Sequence, residues 1–446
     1  MKIIIAGAGA VGTHLAKLLS GEKQDIILMD DDEERLRKLD ANLDLMTVQA
    51  SPTSIMGLKN AGVAGADLFI GVTPEESRNM TACMLATSLG AKKTVARIDN
   101  YEYLLPKHKE FFAKLGVDSL IYPEMLAAKD IVNSIRMSWI RQWWEFCGGA
   151  IVLVGTKIRQ NAEILNVHLH ELGGQDVPFH IVAIKRGQET IIPRGDDSIR
   201  LNDVVYFTTT KKYIPYIRKI TGKESYPEIR NIMIMGGGRI AIRASQYVPE
   251  NIGVKIIEKD TQRCLKLAEL VDDRVMVING DGRDVELLKQ EGIKNIDAFI
   301  ALTGSAETNV LACLAAKQMG VTKSVAQIEN IDYIDMADRL DIGTVINKKK
   351  IAASHIYQMM LDADVSNVKC LTFENADVAE FIVKEDSKIT KNAIKDMGLP
   401  KGVTIGGLIR NGEGIMVNGN TIIQPNDHVV VFCLGMMIKK AEKYFN

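Results

Sequence analysis

The chain has 446 residues, too many for one ordinary core at ~100–200 residues per domain. Hydrophobic residues make up 46% and charged residues 25%, a soluble globular balance, and no apolar stretch reaches the ~20 residues needed to span a bilayer. A formal net charge of −1 gives no electrostatic case for nucleic acid.

The start, MKIIIAGAGAVG, runs from an apolar strand pattern into a GxGxxG turn, which reads as a strand and not a signal peptide. KIIIAG, DIILMD, MTVQA, ADLFIGVT and KTVARI are candidate strands, while VGTHLAKLLS and SRNMTACMLATSLG have helical spacing. This alternation predicts right-handed crossovers and a doubly wound parallel sheet. Gly7 allows the tight turn, Gly9 clears room for a pyrophosphate and Gly12 lets the helix pack closely. Phosphates would sit on the free amides of the helix N-terminus.

Asp30 ends the second strand and suits the ribose hydroxyls of an adenosine. It disfavours NADP but does not separate NAD from ADP or ATP. The acidic run Asp31–Glu34 reads as the first turn of the helix ERLRKLDANL rather than a metal site. Thr73-Pro74-Glu75-Glu76 has two compatible readings: Thr73 near the nucleotide, or Thr73 capping a helix with Pro at N1 and Glu at N3. Arg97, at the end of the fifth strand, is either a cation near phosphate or half of a surface ion pair.

SIRMSWIRQWWEFCGG follows and holds all three tryptophans. Trp139 and Trp143 at i, i+4 predict an aromatic helix over 136–147, docking on a domain, joining protomers or touching a membrane surface. Then HIVAIKRGQETIIPRGDDSIRLNDVVYFTT predicts a small α+β module with few helices. His168 and His170 read as surface residues.

The pattern then repeats. IMIMGGGRIA places Gly236 229 residues after Gly7, and VAGADLFIGVT matches IKNIDAFIALT. The counterpart positions are Gly236, Gly238, Ala241, Glu258 and Thr303, with Arg239 where the first copy has Ala10 and Gln327 where it has Arg97. DDSIRLNDVVYF is echoed by NGNTIIQPNDHVVVF. The expected modules are a nucleotide domain over 1–135, the aromatic helix, a small domain over 148–222, a second nucleotide domain over 230–360 and a second small domain over 368–446. The six cysteines are scattered without a CxxC, and Cys83 and Cys313 fall at matching core positions. There is no GxGKS loop and no recognisable acid/base set, which weighs against hydrolysis and against an NAD-dependent oxidoreductase.

The order nucleotide domain, small domain, then both again resembles the Trk potassium-uptake regulatory proteins, built of tandem KTN or RCK domains. The resemblance spans essentially the whole chain and rests on IIIAGAGAVGTHLA, DIILMD, ADLFIGVT…SRN, VARIDN and the LNDVVYF-type endings. It implies a non-enzymatic cytosolic subunit, peripheral on the inner face of the plasma membrane and without direct membrane insertion. Such a subunit binds NAD(H) or adenine nucleotides such as ADP and ATP. It would form a ring, dimer to tetramer, on a potassium-conducting partner of the TrkH/TrkG kind. Ligand contacts would involve Gly7, Ala8, Gly9, Ala10, Val11, Gly12, Asp30, Thr73 and Arg97. In the second copy they would involve Gly236, Gly237, Gly238, Arg239, Ile240, Glu258 and Thr303. SPTS (Ser51–Ser54) replaces the GDGR of the second copy (Gly280–Arg283), which puts contacts from that first loop in doubt. A nucleotide sensor acting on another partner is the remaining alternative.

Overall fold

The computed structural model describes residues 1–20, 25–40, 45–172, 177–187, 189–330, 332–360, 365–370, 376–434 and 437–445. The tail of the expected helix ERLRKLDANL lies outside the described residues. Four sheets follow one another along the chain, two parallel and two antiparallel.

The first contains β1 (Lys2–Ala6), β2 (Asp25–Asp30), β3 (Met46–Gln49), β4 (Leu68–Gly71), β5 (Thr94–Arg97) and β6 (Ser119–Ile121). All pairings are parallel, in the order β3-β2-β1-β4-β5-β6. Ile3, Ile4 and Ile5 are fully buried, as a central strand covered on both faces requires. The order reverses between β1 and β4, and such a switch point opens a crevice at the carboxyl ends of the strands.

The second sheet contains β7 (Gln142–Phe146), β8 (Ile151–Lys157), β9 (Phe179–Arg186), β10 (Glu189–Ile191) and β11 (Val204–Thr209), in the antiparallel order β10-β9-β11-β8-β7. The third repeats the first: β12 (Asn231–Met235), β13 (Gly253–Glu258), β14 (Val275–Asn279), β15 (Ala298–Ala301), β16 (Lys323–Gln327) and β17 (Thr344–Ile346), ordered β14-β13-β12-β15-β16-β17. The fourth, of β18 (Val365–Cys370), β19 (Ala376–Ile382), β20 (Val403–Arg410), β21 (Glu413–Ile415) and β22 (His428–Leu434), repeats the second. The fold is therefore α/β, with two doubly wound parallel-sheet domains, each followed by a small antiparallel α+β domain.

The aromatic helix is a correction. Helix Pro123–Ile135 ends before the tryptophans, and Gln142–Phe146 is the edge strand β7, paired antiparallel with β8. Trp139, Trp143 and Trp144 are 5%, 4% and 8% exposed. Alternation along β7 sends Trp143 into one core and Trp144 into another. The i, i+4 spacing of Trp139 and Trp143 was incidental: β-prone aromatics with an unpaired strand beside them pair as sheet. The small domain therefore begins at β7, ahead of residue 148.

Two compact units emerge. One joins Met1–Leu126 to the helix Lys348–Met360, and the other contains the remaining sheets. In the first unit that late helix lies against helix Ala10–Ser20, and Lys348 Nζ stands 3.4 Å from Glu124 Oε1. Burial, helped by Lys350, Lys17 and Lys349, pushes the His14 imidazole down to about 4, so it stays neutral at pH 7. In the second unit the two small sheets share a core that includes Phe146, Leu153 and Tyr206 on one side and Val378, Val430 and Phe432 on the other.

Each small domain is closed by the same ion pair. Arg186 forks onto Asp203 at 3.1 and 2.8 Å, and Arg410 onto Asp427 at 2.8 and 2.7 Å. Both aspartates are 1% exposed, so their charge is compensated by a bidentate guanidinium. The preceding Asn202 and Asn426 adopt left-handed φ of 70° and 68°, which explains the Asn-Asp repeat.

Candidate functional site

The first turn leaves β1 with Gly7 at φ 120°. A Cβ there would stand 2.9 Å from Thr73 N and 3.0 Å from the Val72 carbonyl carbon, so only glycine fits beneath the end of β4. A Cβ on Gly9 would meet nothing within 4 Å, leaving open space where a ligand can approach the backbone. On Gly12 it would fall 1.9 Å from the Gly7 carbonyl oxygen. Gly7 and Gly12 thus have the turn and packing roles their spacing predicts, and Gly9 leaves its backbone uncovered. Ala8, Ala10 and Val11 complete the turn and the first residues of helix Ala10–Ser20.

Asp30 is 5% exposed and looks back at this turn. Its carboxylate accepts from Ala8 N at 2.6 Å and Asp32 N at 2.9 Å. One oxygen per amide leaves each oxygen a lone pair for a further donor. The residue therefore holds the turn to β2 as well as offering an acceptor.

Thr73 does not cap. Helix Glu76–Ser88 has Glu75 at its N-cap, with no side-chain cap bond. The Thr73 hydroxyl and amide both donate to Asn79 Oδ1, at 2.7 and 2.8 Å. Asn79 Nδ2 donates in turn to the carbonyls of Thr73 and Arg97. One buried asparagine thereby ties the end of β4 to the end of β5. Sequence reasoning missed it; its signal was the shared Asn of SRNMTAC and ETNVLAC. Arg97 donates to the Thr73 carbonyl at 3.3 Å and pairs with Asp99 at 3.2 Å, and its Nε is buried without an acceptor.

The second turn repeats this geometry. Gly236 has φ 102° and packs under Leu302 and Thr303. Gly238 faces open space. It is the N-cap of helix Arg239–Tyr247, with no side-chain cap bond, so the first helical amides, including that of Ile240, are not taken by a side chain there. Glu258, 8% exposed, accepts from Gly237 N at 2.8 Å and Asp260 N at 2.9 Å. Asn309 repeats Asn79, accepting from Thr303 and donating to the Thr303 and Gln327 carbonyls.

The rims differ. Beside the first turn, Arg78 Nη2 lies 2.6 Å from Asp31 and 3.2 Å from Ser51 Oγ, in a cavity of about 380 Å³ lined also by Thr53, Ser77 and Thr81. The Arg78 hydrogen bond holds the Asp31 carboxyl below its ordinary range. Beside the second turn, Lys259 and Arg283 both meet Asp281, at 3.4 and 2.6 Å, and the Arg283 contact depresses that carboxyl strongly. Cys83 and Cys313 are core residues, as expected, donating to the Val95 and Val325 carbonyls, and burial pushes both thiols up to about 12. His168 and His170 are exposed, and each Nδ1 sits 2.9 Å from a backbone carbonyl oxygen.

Residues 3–123 and 232–348 match the TrkA-N domain, and residues 378–446 match the TrkA-C domain. A Trk system potassium uptake protein TrkA of Halomonas elongata is 33% identical over 452 residues, covering 100% of this chain and 98% of its own length. The chain belongs to the TrkA family. A second TrkA, from Vibrio alginolyticus, is 34% identical over 98% of this chain and 96% of its own. Among solved structures, the GsuK RCK domain aligns with a TM-score of 0.61 at 16% identity, over 100% of this chain and 94% of its own. The GsuK channel bound to NAD aligns with a TM-score of 0.60 at 17% identity, over 100% of this chain and 78% of its own. These neighbours share the fold of this chain.

Proposed function

We propose that this TrkA-family chain is a regulatory subunit of potassium uptake. It binds an adenine nucleotide, NAD(H) or ADP/ATP, at each glycine turn and acts as a sensor rather than an enzyme. The observation that carries the reading is the matched geometry of the turns. Each has a glycine at positive φ under the fourth strand, a glycine facing open space and a buried carboxylate at the end of the second strand. In the first turn the contacts come from Gly7 to Gly12, Asp30, Thr73 and Arg97, and in the second from Gly236 to Ile240, Glu258 and Thr303. NAD and ADP are each named with a solved GsuK structure of the same fold, which supports this ligand class. A nucleotide that prefers one arrangement of the chain shifts its population, and a ring of such subunits passes that shift to a potassium-conducting membrane subunit. Among the described residues no helix is long and apolar enough to cross a membrane, so the conducting path is assigned to that partner.

Gly9→Val and Gly238→Val provide the test, because both positions face open space and a side chain there blocks the ligand without straining the turn. Binding of ADP, ATP, NAD and NADH is measured on wild type, each variant and the pair. Each single variant is expected to lose one site and the pair both, with melting temperatures unchanged. Equal binding by the paired variant and wild type would sink the reading.

A further inference from the structure

A second concave site lies within the second unit, away from both glycine turns. Two adjoining cavities, of about 330 and 590 Å³, share Lys157, Arg159 and Asp341. Their size is that of small-ligand pockets. Eight Lys and Arg side chains line them, and the acidic residues lining them are two, Asp338 and Asp341. This excess is built into the fold. Lys157 ends β8, Lys185 lies in β9, and Lys323 opens β16. Lys223, Lys185 and Lys323 are 2%, 5% and 4% exposed.

The carboxylates are already shared out. Asp341, at φ 54°, takes Arg141, Arg159, Lys157 at 3.1 Å and Lys317 at 3.5 Å. Asp338 takes Arg141 and, at 3.3 Å, Lys185. Lys323 donates to two neutral groups, the Ile140 carbonyl and, at 2.9 Å, Thr344 Oγ1. Lys223 lies 4.7 Å above the Tyr226 ring. The electrostatic cost is visible in the amines: burial, then Arg159 and Arg141, pull Lys223 down to about 8, and burial, then Arg141, pulls Lys323 to about 7. Gathering like charges in a partly desolvated cleft is unfavourable unless an anion compensates them. A core needing only structural pairing would match cations to carboxylates.

We infer that this cleft binds a small polyanion bearing phosphate groups, with Arg159 and Lys157 as its principal donors and Asp341 as the internal anion it competes with. Guanidinium and ammonium donors on several elements suit a diphosphate, whether free or carried by a nucleotide. The inference stands independently of the glycine turns.

Calorimetric titration of the full chain with inorganic pyrophosphate tests it, on wild type, Lys157→Gln/Arg159→Gln and Asp341→Asn. Losing two charged donors is expected to weaken binding by at least about tenfold. Asp341→Asn keeps the left-handed turn, since Asn tolerates that φ, and removes the competing charge, so binding tightens severalfold. A misfolded variant would not bind more tightly, which separates the proposal from loss of structure. Equal binding by wild type and the double variant, or binding no tighter in Asp341→Asn, overturns the site. A parallel titration with ADP, in a Gly9→Val/Gly238→Val background that blocks both glycine turns, assigns the source. Loss of ADP binding in the double variant points to a nucleotide diphosphate, and loss confined to pyrophosphate points to a free polyphosphate.

Discussion

The two parallel-sheet domains solve one problem with different tolerances. At the first turn the helix sits so close that a Cβ on Gly12 would overlap the Gly7 carbonyl, yet the second turn carries Ala241 at the same place, fully buried. Asp30 and Glu258 differ by a methylene but make the same pair of amide contacts. At the edges the copies diverge further. Lys93 is exposed before β5, whereas its counterpart Lys323 is 4% exposed and hydrogen-bonded to the Ile140 carbonyl, ahead of β7. A duplicated frame keeps its turn and changes whatever its surroundings cover.

The largest expected effect follows from that lysine. An unfolded lysine titrates near 10.4, and Lys323 folded is pulled to about 7 by burial and Arg141. Between these values the unfolded chain holds the extra proton, so rising pH stabilises the fold. Below about 7 both forms are protonated and the full penalty stands; above about 10.4 it has vanished. The swing is on the order of 5 kcal/mol. Buried Cys83 and Cys313, with raised thiols, work in the opposite direction at alkaline pH, so the contribution is read as a difference. Melting of wild type and Lys323→Met is compared from pH 7 to 10. Wild type is expected to gain on the variant as pH rises. Parallel curves for wild type and Lys323→Met would remove the claimed distinction between the copies.

The glycines give the next largest effect. Gly12→Ala forces a Cβ onto backbone and is expected to cost about 1–3 kcal/mol. Ala241→Gly costs about 0.5–1 kcal/mol, the ordinary glycine penalty in a helix. Denaturant melts of the two variants check this, and equal losses would mean that the two helices are seated alike.

Much of this was legible. Continuous apolar runs announced the central strands, and the glycine spacing announced both turns, because Gly7, Gly12 and Gly236 each answer a local steric demand. The tryptophans misled because Trp139 and Trp143 have i, i+4 spacing while QWWEF also suits a strand, and the choice depended on an edge of β8 that local sequence does not display. Asn79 and Asn309 went unnoticed because a helical asparagine looks like a surface residue until its four partners are assembled from two strand ends. The basic cleft was invisible for a similar reason: its lysines and arginines come from segments nearly two hundred residues apart, in a chain of formal charge −1.

The smallest effect on stability carries the finest distinction in ligand. Arg78 and Arg283 both sit beside acidic residues at the rims, but they arrive from different elements. Arg78 comes from the helix after β4 and lines a cavity with Ser51 and Thr53, reaching Asp31 through a single nitrogen. Arg283 comes from the loop after β14, its fork folded back onto Asp281 two residues away. A contact through one nitrogen leaves the Nε and Nη1 donors of Arg78 for an additional phosphate, whereas Arg283 already has its Nε–Nη2 edge occupied by a carboxylate. Removing either should change stability little, since both pairs are at least partly solvated. Arg78→Ala is expected to narrow the preference between ATP and ADP at the first turn, measured in a Gly238→Val background. Arg283→Ala, measured in a Gly9→Val background, should leave that ratio unchanged at the second. Identical responses would show that the rims are electrostatically equivalent and that ligand choice is set deeper, at Asp30 and Glu258.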